Sequence, residues 1–497
     1  MTLGLQSTGA AGAAEDLTSW NDVPPRDEFF WINEINKATL LTNTKKGLLS
    51  KSEARNFGKA VTRVEANGNI KGNPRPKMYI RYEPLVVKEA GLTATLMHAG
   101  RSSQDIHATF QRAMMRDATL RLMKALLAVR QGFLKLVEDN PDVLIPCYTN
   151  GVAAQPSSFA HVLLAHTTAF ARDFDRTLSA YARLNECPMG ACVLNGTGWP
   201  LDRQGMSDYL GFDRPVANTF DAGQVGGTDV MIDAAIELVH PMLHISQFIA
   251  EIMQQYAQPR PWILVSATYA SSAMPQKRNP GPIIDVRRDA NAVLGSLNSV
   301  IMRAHNLPTG MYDAKDEKLN IEMLDDAAKV VEAFATLLSM LCIDKDRALE
   351  ELNLDWTASQ ELADVLMRKF AIPFRVGHGF ASRMVTVARN NQWTPKNFPL
   401  AEARKIYEAL RDELKEELPN FPSEFPFDEM GFRAVLSPGH IVAERAVDGG
   451  PQPESLLKLK IAGQELLKAD EMTLNRLFDQ LQEAQSKLHK DFGELIA

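Results

Sequence analysis

From Asp105 to Asn140 the chain carries no proline, and Phe110, Met114, Leu120, Met123, Leu127, Phe133 and Val137 recur at helical spacing. The pattern predicts one helix, closed by Asn140-Pro141. At 1.5 Å per residue it spans roughly 50 Å, well beyond an average globular helix. Similar periodicity returns over about 157 to 187, 229 to 258, 282 to 305 and 316 to 343. Pro241 falls inside the 229–258 segment and is expected to kink it. Long helices of this kind pack as a bundle. No series of short Val/Ile/Thr alternating runs set off by Gly-Asn or Asn-Gly turns is read, so neither a sandwich nor a doubly wound sheet is expected. The fold class is mainly α.

The flanks differ from this middle. Residues 1 to about 25 are rich in Gly, Ala, Ser and Thr, stop at Pro24-Pro25, and read as a loose arm. From about Asn353 the helical patterns shorten, broken by Pro373, Pro395, Pro399, Pro419 and Pro422, before a charged helical tail after Pro453. The expected organisation is an arm (1–25), an N-terminal helical domain (26–104), a central long-helix domain (105–352) and a C-terminal helical domain (353–497). No internal repeat is found, which disfavours a solenoid.

Composition narrows the partners. At 497 residues the chain exceeds what one core organises, and 45% apolar residues suffice to fill several. Charged residues are nearly balanced, with a net charge of -7 and no basic stripe, so nucleic acid is not an expected partner. Cys147, Cys187, Cys192 and Cys342 lack zinc-knuckle spacing and are too few for a disulfide scaffold, which suits a reducing cytoplasm. No export signal and no membrane span are read.

The segment Tyr269-Ala270-Ser271-Ser272-Ala273-Met274-Pro275-Gln276-Lys277-Arg278-Asn279-Pro280 stands just before a long helix. Small and hydroxyl residues let backbone N–H groups approach a carboxylate, Lys277 supplies a point charge, Asn279 donates, and the helix N-terminus adds its dipole. By composition alone such a run is more often a proline-punctuated surface loop. Its order of residues changes that balance: it is similar to the aspartase/fumarase superfamily signature Gly-Ser-Ser-x-Met-Pro-x-Lys-x-Asn, with Ala270 in place of the glycine. Gly100-Arg101-Ser102-Ser103-Gln104-Asp105 and Tyr148-Thr149-Asn150-Gly151-Val152-Ala153-Ala154-Gln155-Pro156 match further superfamily segments in the same order. Ala191 to Arg203, Asn306 to Lys318, Thr357 to Phe380, and Leu436 through Pro451 look like argininosuccinate lyase, across roughly residues 80 to 455.

This resemblance implies a three-domain subunit, a homotetramer with a 20-helix core, and active sites each assembled from three subunits. The substrate implied is a small dicarboxylate, and no metal or organic cofactor is called for. Ser271 would remove a proton beside a carboxylate, and the resulting aci-carboxylate dianion would expel an amine and release fumarate. A serine hydroxyl is a poor base in water, so the role requires electrostatic stabilisation of its alkoxide. Lys277 and Asn279 would stabilise the dianion. Ser103, Gln104 and Thr149 would hold the succinyl carboxylates, with Ser102, Asn150 and Ser272 beside them, and Tyr312 and Lys318 correspond to substrate contacts.

The chain departs from the lyase pattern in a concerted way. Arg-Ser-Arg-Asn-Asp becomes Arg101-Ser102-Ser103-Gln104-Asp105, which removes a cation. Tyr-Thr-His-Leu-Gln becomes Tyr148-Thr149-Asn150-Gly151-Val152, exchanging an imidazole for an amide that cannot transfer protons near pH 7. The glutamate that pairs with that histidine, thirteen residues past the loop serine, is Ile284, with Asp285 beside it. Losing both together avoids an unpaired buried carboxylate. The Gly223 segment and the shortened Tyr312 segment point to a reshaped amine-side pocket.

His98, His161 and His166 are read as packing residues, Gly226-Gly227 and Gly449-Gly450 as turns, and Met114, Met115 and Met253 as core. The reading is a carbon–nitrogen lyase acting on an N-substituted aspartate, argininosuccinate lyase-like. The alternatives are a lyase with a non-arginine leaving group, a small amine or nitrogen oxide, and a non-catalytic structural homologue.

Overall fold

The computed structural model describes residues 24–311 and 317–497. The expected arm lies outside them but for Pro24 and Pro25. The chain begins with α1 (Glu28–Lys45), α2 (Lys51–Gly68) and α3 (Tyr79–Ala90). Next come α4 (Ser103–Asp139), the hairpin β1 (Leu144–Thr149) and β2 (Val152–Ser158), and α5 (Phe159–Leu184). After β3 (Glu186–Cys187), α6 (Arg203–Tyr209) and β4 (Arg214–Pro215), the chain forms α7 (Asp229–Ile236) and α8 (Val239–Tyr256). Strands β5 (Ile263–Val265), β6 (Tyr269–Ala270) and β7 (Arg278–Asn279) then lead to α9 (Gly281–Ala304), α10 (Glu317–Ser339) and β8 (Leu341–Ile343). The rest is helical: α11 (Lys345–Leu354), α12 (Ser359–Phe370), α13 (Phe374–Asn391), α14 (Leu400–Leu414), α15 (Glu429–Val435), α16 (Pro438–Ala443) and α17 (Pro453–Ile496). The protein is mainly α, and its strands pair only in two-stranded ladders among the described residues.

The long helices stand where periodicity places them, and one proline behaves differently from expectation. The 229–258 segment does not kink at Pro241. It breaks at Glu237–Leu238 into α7 and α8, so that Pro241 becomes the third residue of α8. There its missing N–H falls among the donors that have no intrahelical acceptor.

Helix α4 is the axis of the molecule. Ser102 caps it, its Oγ accepting the Gln104 N–H at 3.1 Å, while the Asp105 carboxylate accepts the Ser102 N–H at 2.8 Å. Its apolar residues pack with α5, α8, α9 and α10 in one large core that includes Phe133, Phe170, Phe248 and Phe334. Arg121 pairs with Asp325 near one end, and Gly132 lies against Leu338 farther along. α4 and α10 therefore run parallel, and α4 continues past the end of α10. A second core joins α1 to α3 with Cys187 and Tyr209, and a third lies among α12 to α15. Helix α17 returns across the first two: Leu467 and Leu474 enter the central core, Leu488 and Phe492 the N-terminal one. No helix among the described residues is long and apolar enough to cross a membrane.

Candidate active site

Ser271 sits at the start of a small hairpin tip. β5 pairs with β8, which ties the base of this segment to the end of α10. β6 pairs with β7 through Tyr269↔Asn279 and Ala270↔Arg278, leaving residues 271–277 as the connection. Within it the Lys277 N–H donates to the Met274 carbonyl at 3.0 Å, and the Asn279 side-chain amide donates to the Tyr269 carbonyl at 3.3 Å. The Ser271 Oγ accepts two backbone N–H groups, from Ala273 at 3.3 Å and Met274 at 3.2 Å. Two dipoles aimed at one hydroxyl oxygen favour its ionised form. Two residues after Asn279, α9 begins at Gly281 with no side-chain cap, so its first N–H groups and its dipole stand at the foot of the hairpin. Ser271 and Asn279 are half-buried, while Ser272 and Lys277 are exposed.

The turn before α4 is built differently. Gly100 has φ +68, a conformation that L side chains rarely adopt, which favours glycine there. Arg101 is buried and points away from solvent: its guanidinium donates to Asn36 Oδ1 at 2.8 Å, Thr39 Oγ1 at 3.1 Å and the Tyr79 hydroxyl at 2.7 Å. The second Asp105 oxygen accepts the Gly190 and Cys192 N–H groups at 3.0 and 3.1 Å, clamping that loop to the turn. Burial pushes the Asp105 carboxyl up to about 6 against these donors and Arg101. On this frame Ser103, Gln104, His107 and Gln111, one face of α4, line a cavity of about 230 Å³ closed by Tyr79 and Gly223. His107 and Gln111 were not singled out from the sequence. Their i+4 and i+8 spacing from Ser103 is the signal that marks them.

Thr149 ends β1, and Asn150 and Gly151 turn the chain into β2 with φ +53 and +77. Two consecutive positive φ values are those of a type I′ hairpin turn, for which Asn-Gly is a favoured pair. This hairpin is an Asn-Gly turn that the sequence reading passed over. A bulge at Cys147/Tyr148 and the packing of β1 on α11 hold it in place. Ile284 is half-buried on α9, and Asp285 is exposed and paired with Arg288 at 3.0 Å. Tyr312 lies outside the described residues, as does the side chain of Lys318.

One subunit does not bring the α4 turn and the β1–β2 turn together. Ser103 and Asp139 end a helix of 37 residues, or ~55 Å at 1.5 Å per residue. The chain from Asn140 to Thr149, ten residues, recovers at most ~34 Å of that distance. Ser103 and Thr149 of the same chain therefore cannot grip one small molecule.

The histidines read as packing residues have such surroundings. His98 stacks on Tyr79, and His161 faces the Gly449 carbonyl at 2.9 Å. His166 stacks on Phe133, its pKa lowered to about 4 by burial.

The same segments carry the chain's relationships. A lyase family matches residues 83–295, and the argininosuccinate lyase C-terminal family matches residues 356–442. The argininosuccinate lyase of Methanococcoides burtonii is 31% identical over 371 residues, 74% of this chain and 72% of that one. The chain belongs to the argininosuccinate lyase family. As a member it is a carbon–nitrogen lyase of that type. The Methanocorpusculum labreanum argininosuccinate lyase is 28% identical over 472 residues, 93% of this chain and 92% of that one. Among solved structures, EDDS lyase in complex with formate superposes with a TM-score of 0.85 at 24% identity, covering 94% of this chain and 92% of that one. A class II fumarase from Schistosoma mansoni does so with a TM-score of 0.66 at 15% identity, covering 88% and 96%. These two share the fold of this family member, which is that of the fumarase/aspartase superfamily.

Proposed function

We propose that this enzyme cleaves the carbon–nitrogen bond of an N-substituted aspartate to an amine and fumarate, or forms that bond, with Ser271 as the base. The observation that carries the reading is the pair of backbone N–H groups on the Ser271 Oγ. They stabilise the alkoxide that proton abstraction requires, as oxyanion-hole donors do. The alkoxide takes the proton from the carbon beside one carboxylate. The electron pair moves into that carboxylate to give the aci-carboxylate dianion, which Lys277, Asn279 and the α9 N-terminus stabilise. Its collapse forms the double bond, expels the nitrogen with its electron pair, and yields fumarate once the amine has gained a proton. Closure of the 271–277 tip over the substrate would exclude water.

The far-apart placement of Ser103 and Thr149 within one chain favours a site shared between copies, as in the homotetramer that the family resemblance implies. Ser103 and Gln104 of one copy would hold a carboxylate opposite Thr149 of another, with Ser102 capping the helix that carries them. Asn150 sits in a turn conformation and cannot exchange protons, which favours a leaving group other than arginine. The four cysteines, all unpaired, suit a cytoplasmic setting. The test follows fumarate absorbance in the ultraviolet with fumarate plus a panel of amines, and with argininosuccinate in the cleavage direction. Turnover that disappears in Ser271→Ala is the expected result. Full activity in that variant would remove Ser271 from the chemistry, and silence across the panel would return weight to a structural role.

A further inference from the structure

A cavity of about 430 Å³ lies behind the β1–β2 hairpin, within the range of small-molecule sites. Its floor is apolar and aromatic, formed by Phe159 and Val162 of α5, Phe248 and Ile252 of α8, and Trp262. Its mouth is polar. Asn150 and Gly151 form one lip and Glu251 the other. Phe248, Glu251, Ile252 and Gln255 recur at three- and four-residue spacing, so one face of α8 presents both floor and lip. Gln255 donates to the Tyr148 hydroxyl at 3.0 Å, which fixes the hairpin side of the wall.

The Trp262 indole N–H on the floor reaches the Tyr148 hydroxyl and so belongs to the wall. One feature marks the cavity as built for a ligand rather than left over from packing. Glu251, at the mouth, makes no hydrogen bond or ion pair among the described residues, so its charge is available to a ligand. Gly151 leaves the lip open, since no atom stands within 4 Å of where its Cβ would be.

We propose that this cavity binds an amphipathic primary ammonium ion, with its aryl or branched body on the Phe159, Phe248 and Trp262 floor and its charge against Glu251. Assigning that ion as the amine half of the reaction rests on the lyase reading above. The hairpin carries Thr149 at the end of β1 and the Asn150–Gly151 lip next to it. A substrate held by its carboxylates at Thr149 thus has a hollow beside it for the nitrogen substituent. Apolar walls and a single carboxylate suit an arylalkyl ammonium and oppose an anion.

Calorimetric titration of the full chain with 2-phenylethylammonium tests the site. Saturable binding is expected, about tenfold or more weaker for ethylammonium, which lacks the body, and for 3-phenylpropionate, which reverses the charge. Glu251→Gln, on the exposed face of α8, is expected to weaken 2-phenylethylammonium by about tenfold, and Val162→Phe to abolish binding by filling the floor. No saturable binding, or equal affinity in wild type and Glu251→Gln, would overturn the proposal. Binding that persists while no amine reacts with fumarate would instead sink the lyase reading and leave the site. Fumarate turnover without saturable 2-phenylethylammonium binding would do the reverse.

Discussion

The two hairpins with site residues at their turns are built to opposite standards. β1 and β2 pair over six and seven residues, with a bulge, a type I′ turn and a helix behind them. β6 and β7 contribute two residues each, and their tip is exposed. A hairpin with two rungs opens locally at little free-energy cost, whereas one packed into the central core opens only with that core. Ser271, the proposed base, is thus carried on the part that can close over a substrate. Ser103, Gln104 and Thr149, proposed to hold the carboxylates, stand on the firmer frame, where the Asp105 clamp ties down the α4 turn.

The largest effect should come from the loose hairpin. Ser271→Ala is expected to lower turnover by ~10²–10⁴-fold, the range for losing a positioned base, with the melting temperature unchanged because a small loop side chain contributes little to packing. A matching fall in stability would mean that the tip is part of the rigid frame. On the frame, Asp105→Asn turns an amide N–H toward N–H groups that now meet an acceptor. It should cost ~2–3 kcal/mol in denaturant unfolding and raise KM more than it lowers kcat; an unchanged KM would separate the clamp from the substrate turn. Gly151→Ala forces a Cβ onto a residue at φ +77 and should cost about 1 kcal/mol or more. A neutral result would show that the β1–β2 turn relaxes as freely as the 271–277 tip. The smallest effect is expected of Ser102→Ala, ~1 kcal/mol from the lost cap of α4, read by thermal unfolding.

How much of this was legible in the sequence varies with the range of the interaction. The long helices announce themselves through local periodicity and the absence of proline, and α4 ends at Asp139 as Asn140-Pro141 requires. Pro241 was legible as a disturbance but not as a boundary, because the break at Glu237–Leu238 lets the proline sit where it disturbs nothing. The β1–β2 hairpin was missed because Val152-Ala153-Ala154-Gln155-Pro156 lacks the β-branched alternation of a strand, although Asn150-Gly151 carries the turn chemistry. The residues of the three matching segments could be named from their order alone. Their spatial relation could not, since it depends on the length of α4 and, in the proposed shared site, on a neighbouring copy that no local pattern encodes. His107 was not legible as a site residue because the matching segment ends at Asp105, two residues before His107 takes its place one turn on from Ser103.

The most direct test of a shared site with Ser271 as its base is complementation. Ser271→Ala and Thr149→Ala chains, each inactive alone, would be co-expressed and the mixed assemblies assayed for fumarate formation. Recovered activity in the mixture is the predicted result, because some sites would then combine an intact Ser271 from one chain with an intact Thr149 from another. Mixed assemblies as inactive as their parents would place both residues in a site within one chain and contradict the shared arrangement.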